Sequence, residues 1–115
     1  MIASSEYELA RNEAIKRARL ILAGELDVLY GSIVLAEVVN KLVPDWRVDP
    51  VLTVFNVVAS DSDHIPLGPA RQQWKGEALA RMDAMAKRLA DDRRDIVFSA
   101  CKYVVARFEN CVQEF

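Results

Sequence analysis

Beyond Gly76 the apolar residues recur every three or four positions: Leu79, Met82, Met85 with Ala86, Leu89, Ile96 with Val97, Ala100, Val104 and Phe108. That is the repeat of an amphipathic helix, not the two-residue alternation of a half-buried strand. Only Arg93 interrupts the series, and the phase survives the polar stretch Asp91–Arg94. The kept phase predicts one continuous helix of roughly 30 residues and ~45 Å, in preference to two joined by a kink.

Shorter helices account for the rest. Ser5-x-x-Glu8 has the form of a capping box, in which hydroxyl and carboxylate satisfy free N–H groups of the first turn. From Leu9 to Leu22 apolar and basic residues mix at helical spacing, and Gly24 suits the position just past the helix end. A second helix is predicted from Leu26 to Leu42. Gly31 inside it costs ~1 kcal/mol against alanine, which points to a close helix–helix approach. The short link between these helices implies an antiparallel hairpin. Pro44 ends the second helix, and Asp45–Val48 is a connection carrying Trp46. Asp49-Pro50 has the pattern of an N-cap followed by proline at the first helical position. Val51–Ala59 is rich in strand-preferring residues, yet no other segment offers a strand to pair with it, so a short buried helix is expected. Ser60–Pro69 is dense in turn formers and reads as a loop, followed by a short helical piece from Pro69 to Trp74. The predicted fold is all-α, a compact bundle of four to six helices with a long C-terminal helix, in one domain over residues 1–115.

Composition narrows the function classes. The chain of 115 residues is 52% hydrophobic and 28% charged, enough apolar material to exclude a disordered chain. A net charge of −2 argues against a general nucleic-acid binder. Met1–Leu9 carries Glu6 and Glu8 and does not read as a signal peptide. The apolar runs fall far short of the ~18 residues of a membrane span. Cys101 and Cys111, placed on one helix, would stand ~15 Å apart, beyond disulfide reach. Two unpaired thiols fit a reducing cytoplasm and read as small buried hydrophobes.

Asp61-Ser62-Asp63-His64 is where titratable residues crowd together, with the sole histidine. As a calcium loop it fails, since Pro66 stands at position six and Gln72 at position twelve. One imidazole and two carboxylates could meet a transition metal, and His64 could serve acid–base chemistry, but no Gly-x-Ser-x-Gly nucleophile turn accompanies it. The alternative is structural. Here Asp61, Asp63, His64, Arg71 and Trp74 form a latch, with a loop carboxylate taking Arg71 and the Trp74 ring packed over the loop.

Charge placement is the second feature. From Glu25 to Asp63 there are seven acids (Glu25, Asp27, Glu37, Asp45, Asp49, Asp61, Asp63) against two bases, Lys41 and Arg47. Such a run is either a solvated face or an electronegative patch that steers a basic partner. Lys87, Arg88, Arg93 and Arg94 stand among Asp91, Asp92 and Asp95 and read as local ion pairing.

From Leu20 to Phe108 the chain resembles a family of small, mostly uncharacterised bacterial all-helical proteins. The resemblance rests on Ala23-Gly24-Glu25, on the segment Ser60–Gly68 with Arg71 and Trp74, on Glu77-Ala78-Leu79 with Asp83, and on Ala100-Cys101 with Phe108. It implies an all-α fold and a cytoplasmic bacterial protein, and it carries over no catalytic residue. In size and acidity such proteins are similar to immunity proteins of contact-dependent or other polymorphic toxin systems. The expectation is therefore a non-enzymatic inhibitor without cofactor or metal. It would cover the basic cleft of a cognate toxin, such as a nuclease, through Asp45, Trp46, Asp49, Asp61 and Asp63. A small enzyme or metal protein at Asp61, Asp63 and His64 is the alternative, and a self-associating helical protein a third. Direct contact with nucleic acid or membrane is not expected.

Overall fold

The computed structural model describes residues 4–109, and every regular element among them is helical. α1 spans Ser4–Leu22, α2 Val28–Leu42, α3 Thr53–Asp61 and α4 Gly76–Glu109, with 3₁₀ turns at Trp46–Val48 and Gly68–Gln73. The all-α bundle with a long C-terminal helix is thus as expected. At ~1.5 Å per residue the 34 residues of α4 run ~51 Å. That is nearly the whole 54 Å long dimension, against 26 Å in the other two. The predicted continuous helix is real, without a break at Asp91–Arg94. Its buried side chains begin only at Ala90 and continue through Val97, Ala100, Cys101, Val104 and Phe108.

α1 is already helical at Ser4, so Ser5 lies inside the first turn instead of capping it. The far end of α1 follows expectation. Gly24 takes φ +79°, and the Leu20 carbonyl accepts from the N–H groups of Glu25 and Leu26. The chain can then turn within a few residues into α2, where the Asp27 carboxylate accepts from the Tyr30 N–H. α1 and α2 run antiparallel: Ile21 meets Gly31 at one end, and Ala10 shares a groove with Val38 and Lys41 at the other. A Cβ on Gly31 would stand 2.6 Å from Ile21 Cδ1, and Ile21 is fully buried. Gly31→Ala is therefore expected to destabilise the fold by ~1–3 kcal/mol, even though alanine is the better helix former by ~1 kcal/mol. A denaturant midpoint equal to or above that of the parent would show that the two helices can part.

α3 settles the ambiguous valine-rich segment as helix, two residues later at each end than Val51–Ala59. The first helical bond already runs from Thr53 N–H to the Asp49 carbonyl, so Asp49-Pro50 opens the turn as its sequence suggests. At the other end Ser60 and Asp61 extend α3, and the loop begins at Ser62. Turn-forming side chains do not stop the helix there: the N–H and the hydroxyl of Ser62 both donate to the Val58 carbonyl, at 3.1 and 2.9 Å, and close the last turn. Asn40 of α2 and Asn56 of α3 exchange amide hydrogen bonds of 3.1 Å. One core joins all four helices, built around Phe55, Phe108, Ile21, Leu29, Leu35 and Leu52, each at most 2% exposed. Cys101 belongs to that core, and Cys111 lies outside the described residues.

Candidate partner-binding face

Asp49 is the most tethered of the five expected binding residues. Its Oδ1 accepts from the N–H groups of Val51 and Leu52 at 2.8 and 3.0 Å. Its Oδ2 accepts from Arg107 Nη1 at 3.0 Å and from the Tyr103 hydroxyl at 3.3 Å. Partial burial pushes this carboxyl up. The bonds from Leu52, Val51 and Tyr103 and the charge of Arg107 outweigh burial and hold it below the usual carboxylate range. Asp49 thus caps the entry to α3 and clamps it to the C-terminal part of α4, and little of its charge is left for a partner.

Asp61 does the same at the other end of α3, where its Oδ2 accepts from Arg93 Nε and Nη2 at 3.3 and 3.2 Å. The expected latch is only partly assembled. Arg71 pairs with Asp83 of α4, not with a loop carboxylate, because the 3₁₀ turn at Gly68–Gln73 carries it across to that helix. Asp63 and His64 are exposed, and Trp74 is 37% exposed. What fixes the connection is apolar: Ile65 and Pro66 are buried, and Ser62 is 1% exposed beneath them in sequence order. Among the described residues no three His, Cys, Asp or Glu side chains assemble around a common point fit for a metal ion.

The five residues do not converge. Asp49 meets Arg107 and Asp61 meets Arg93, so α3 lies antiparallel to α4, and the two arginines stand fourteen residues, ~21 Å, apart along α4. Asp45 and Trp46 belong to the Asp49 end, Asp63 to the Asp61 end. Trp46 is half-buried against the core, with the Arg47 guanidinium 4.7 Å from its ring centroid, so one ring face is already covered. Of the seven acids, Asp27, Asp49 and Asp61 have partners inside the fold, whereas Asp45 and Asp63 are exposed.

No family model matches the chain, and no curated protein or solved structure matches it. Every functional reading therefore rests on what the residues themselves present.

Between the two clamped aspartates, α3 and α4 leave a groove of about 510 Å³. Pro50, Val54, Val57 and Ile96 line it with aliphatic surface, and Asp61 and Asp92 stand in its wall. Val57 is 55% exposed and Ile96 51%. Sequence spacing does signal this face: Val57–Val58 and Ile96–Val97 are adjacent apolar pairs, and a helix turns only one of each toward the core. Val58 and Val97 take that place, at 1% and 0% exposure. Arg93 was legible in the same way, as the one charge interrupting the apolar series. It sits there because its guanidinium reaches Asp61. Cys101, by contrast, is a core residue whose thiol burial pushes up to about 12, which leaves it without thiolate at neutral pH.

Proposed function

We propose that this chain is a non-enzymatic protein-binding module, an immunity-type inhibitor that covers the basic cleft of a cytoplasm-acting toxin such as a nuclease. The observation that carries the reading is aliphatic surface left uncovered beside carboxylates on a firmly packed scaffold. Single exposed aliphatics are ordinary. Here Val57 and Ile96 share one groove, and Val48, 79% exposed, lies two residues before Pro50 of the same groove. Apolar contacts beside the carboxylate of Asp92 and near the exposed Asp45 and Asp63 suit a basic partner: the aliphatics supply contact area, and the carboxylates supply orientation and encounter rate.

Asp49 and Asp61 are poor probes of such binding, because reversing either charge breaks a clamp. The exposed Asp45 and Asp63 are the proper ones. The Asp45→Lys, Asp63→Lys double variant should keep the parent melting temperature. It should associate about ten-fold more slowly with the partner recovered by pull-down and identified by mass spectrometry, with most of the loss in the on-rate. An acidic partner, or an unchanged on-rate at low salt, would overturn the electrostatic part of the reading.

A further inference from the structure

We propose that the α3–α4 groove is the docking site for an amphipathic basic segment of the partner, a helix that inserts one aliphatic side chain between Val57 and Ile96 and sets a lysine or arginine against Asp92. This rests on the protein-binding reading above and names the part of the surface that performs it.

Besides a groove of about 410 Å³ between α1 and the end of α4, whose Arg19 pairs with Glu109 and whose remaining charge is the cation Lys16, three grooves compete, and their charges separate them. The first, about 490 Å³ between Tyr30, Leu67 and the Ala86–Ala90 turn of α4, has its rim charges spent on one another. Arg71 pairs with Asp83 and Arg94 with Asp91, and the remaining Asp27 and Lys87 balance. The second, about 340 Å³ between α1 and α2 beside Leu9, sets Glu6 against Lys41, with Glu13 already paired to Arg17. Neither selects a partner by sign.

The α3–α4 groove differs. Its wall holds three charges, Asp61, Asp92 and Arg93. Arg93 commits both Nε and Nη2 to Asp61, which leaves Asp92 as the charge with no ion-pair partner among the described residues. A carboxylate beside exposed valine and isoleucine is complementary to an aliphatic side chain with a cation one helical turn away, the arrangement of a basic amphipathic helix. α3 is tied to α4 at both ends, by Asp49 with Arg107 and Asp61 with Arg93.

The test uses two synthetic helical peptides of ~18 residues with the same leucine face, one with lysine and one with glutamate on the polar face. Each is titrated into the full chain while the methyl resonances of Val54, Val57 and Ile96 are followed by NMR. The lysine peptide should shift those three methyls and bind at least ~10-fold more tightly than the glutamate peptide, and Asp92→Lys should remove most of that preference. Val57→Ser with Ile96→Ser, both at exposed positions, should abolish the shift of the remaining Val54 methyls and the binding itself without lowering the melting temperature. Equal binding of the two peptides, or shifts centred on Leu9 and Val38, would overturn the proposal. The natural partner separates this failure from that of the wider reading. A partner that ignores the Val57→Ser, Ile96→Ser variant but is weakened by Asp45→Lys also overturns the groove, while leaving the protein-binding module in place.

Discussion

Asp49→Ala should destabilise the fold by ~1–3 kcal/mol and flatten the acid side of its stability profile. Loss of an N-cap carboxylate alone costs ~1 kcal/mol. The contact with Arg107, a guanidinium one-third exposed, adds only a fraction of a buried pair's worth because water screens it. The Tyr103 hydroxyl loses an acceptor as well. Because the folded carboxyl titrates below its ordinary value, the unfolded chain binds a proton there more readily than the folded one. The stabilisation from Asp49 is then complete above the unfolded value of ~3.9 and disappears as the pH falls through the lower folded value. Denaturant melts at successive pH values from neutrality downward should show the parent losing stability through that window and Asp49→Ala losing less. An identical acid slope in the two proteins would mean that Asp49 is not the clamp described.

Local pattern carried most of the fold into the sequence and few of its cross-links. The three-or-four-residue apolar recurrence gave α4 its length, and Gly24 gave the end of α1, because both are settled by neighbours in the chain; Asp27, expected inside the second helix, instead caps it. The ion pair of Arg94 with Asp91 is of the same kind, three residues apart on one helix. The pairs that matter for the candidate face join residues 32 and 58 positions apart, Arg93 with Asp61 and Arg107 with Asp49. Which aspartate meets which arginine depends on how α3 crosses α4, a quantity that no local window contains. Counting seven acids between Glu25 and Asp63 treated all of them as free surface charge. Tertiary packing assigned Asp49 and Asp61 to hold α3, left Asp45 and Asp63 near its two ends, and kept Glu25, Asp27 and Glu37 at the α1–α2 turn and on α2. The signal for the proposed groove is a less conspicuous one, two adjacent apolar pairs of which one member has to face outward.

Phe55→Ala should have the largest effect of any single truncation in α3, ~3–5 kcal/mol, a large fraction of the ~5–15 kcal/mol that holds a domain of this size together. Phe55 is fully buried, while Val57, two positions on, is 55% exposed; Val57→Ser should change stability by less than ~0.5 kcal/mol. The contrast arises because nine residues are too few to be helical alone in water. α3 therefore takes its place from Leu52, Phe55 and Val58 beneath it and from the carboxylates at its two ends. Removing the phenyl ring leaves a cavity under the middle of the helix, and the groove wall should loosen before the rest of the bundle does. Hydrogen exchange should show this as faster exchange of the amides at residues 55–61 in Phe55→Ala, with those of α4 beyond Val97 little changed. Equal thermal shifts for Phe55→Ala and Val57→Ser would place α3 with the wrong face inward. In that event Val54 and Val57 would belong to the core, and the surface offered to a partner would lie elsewhere on the bundle.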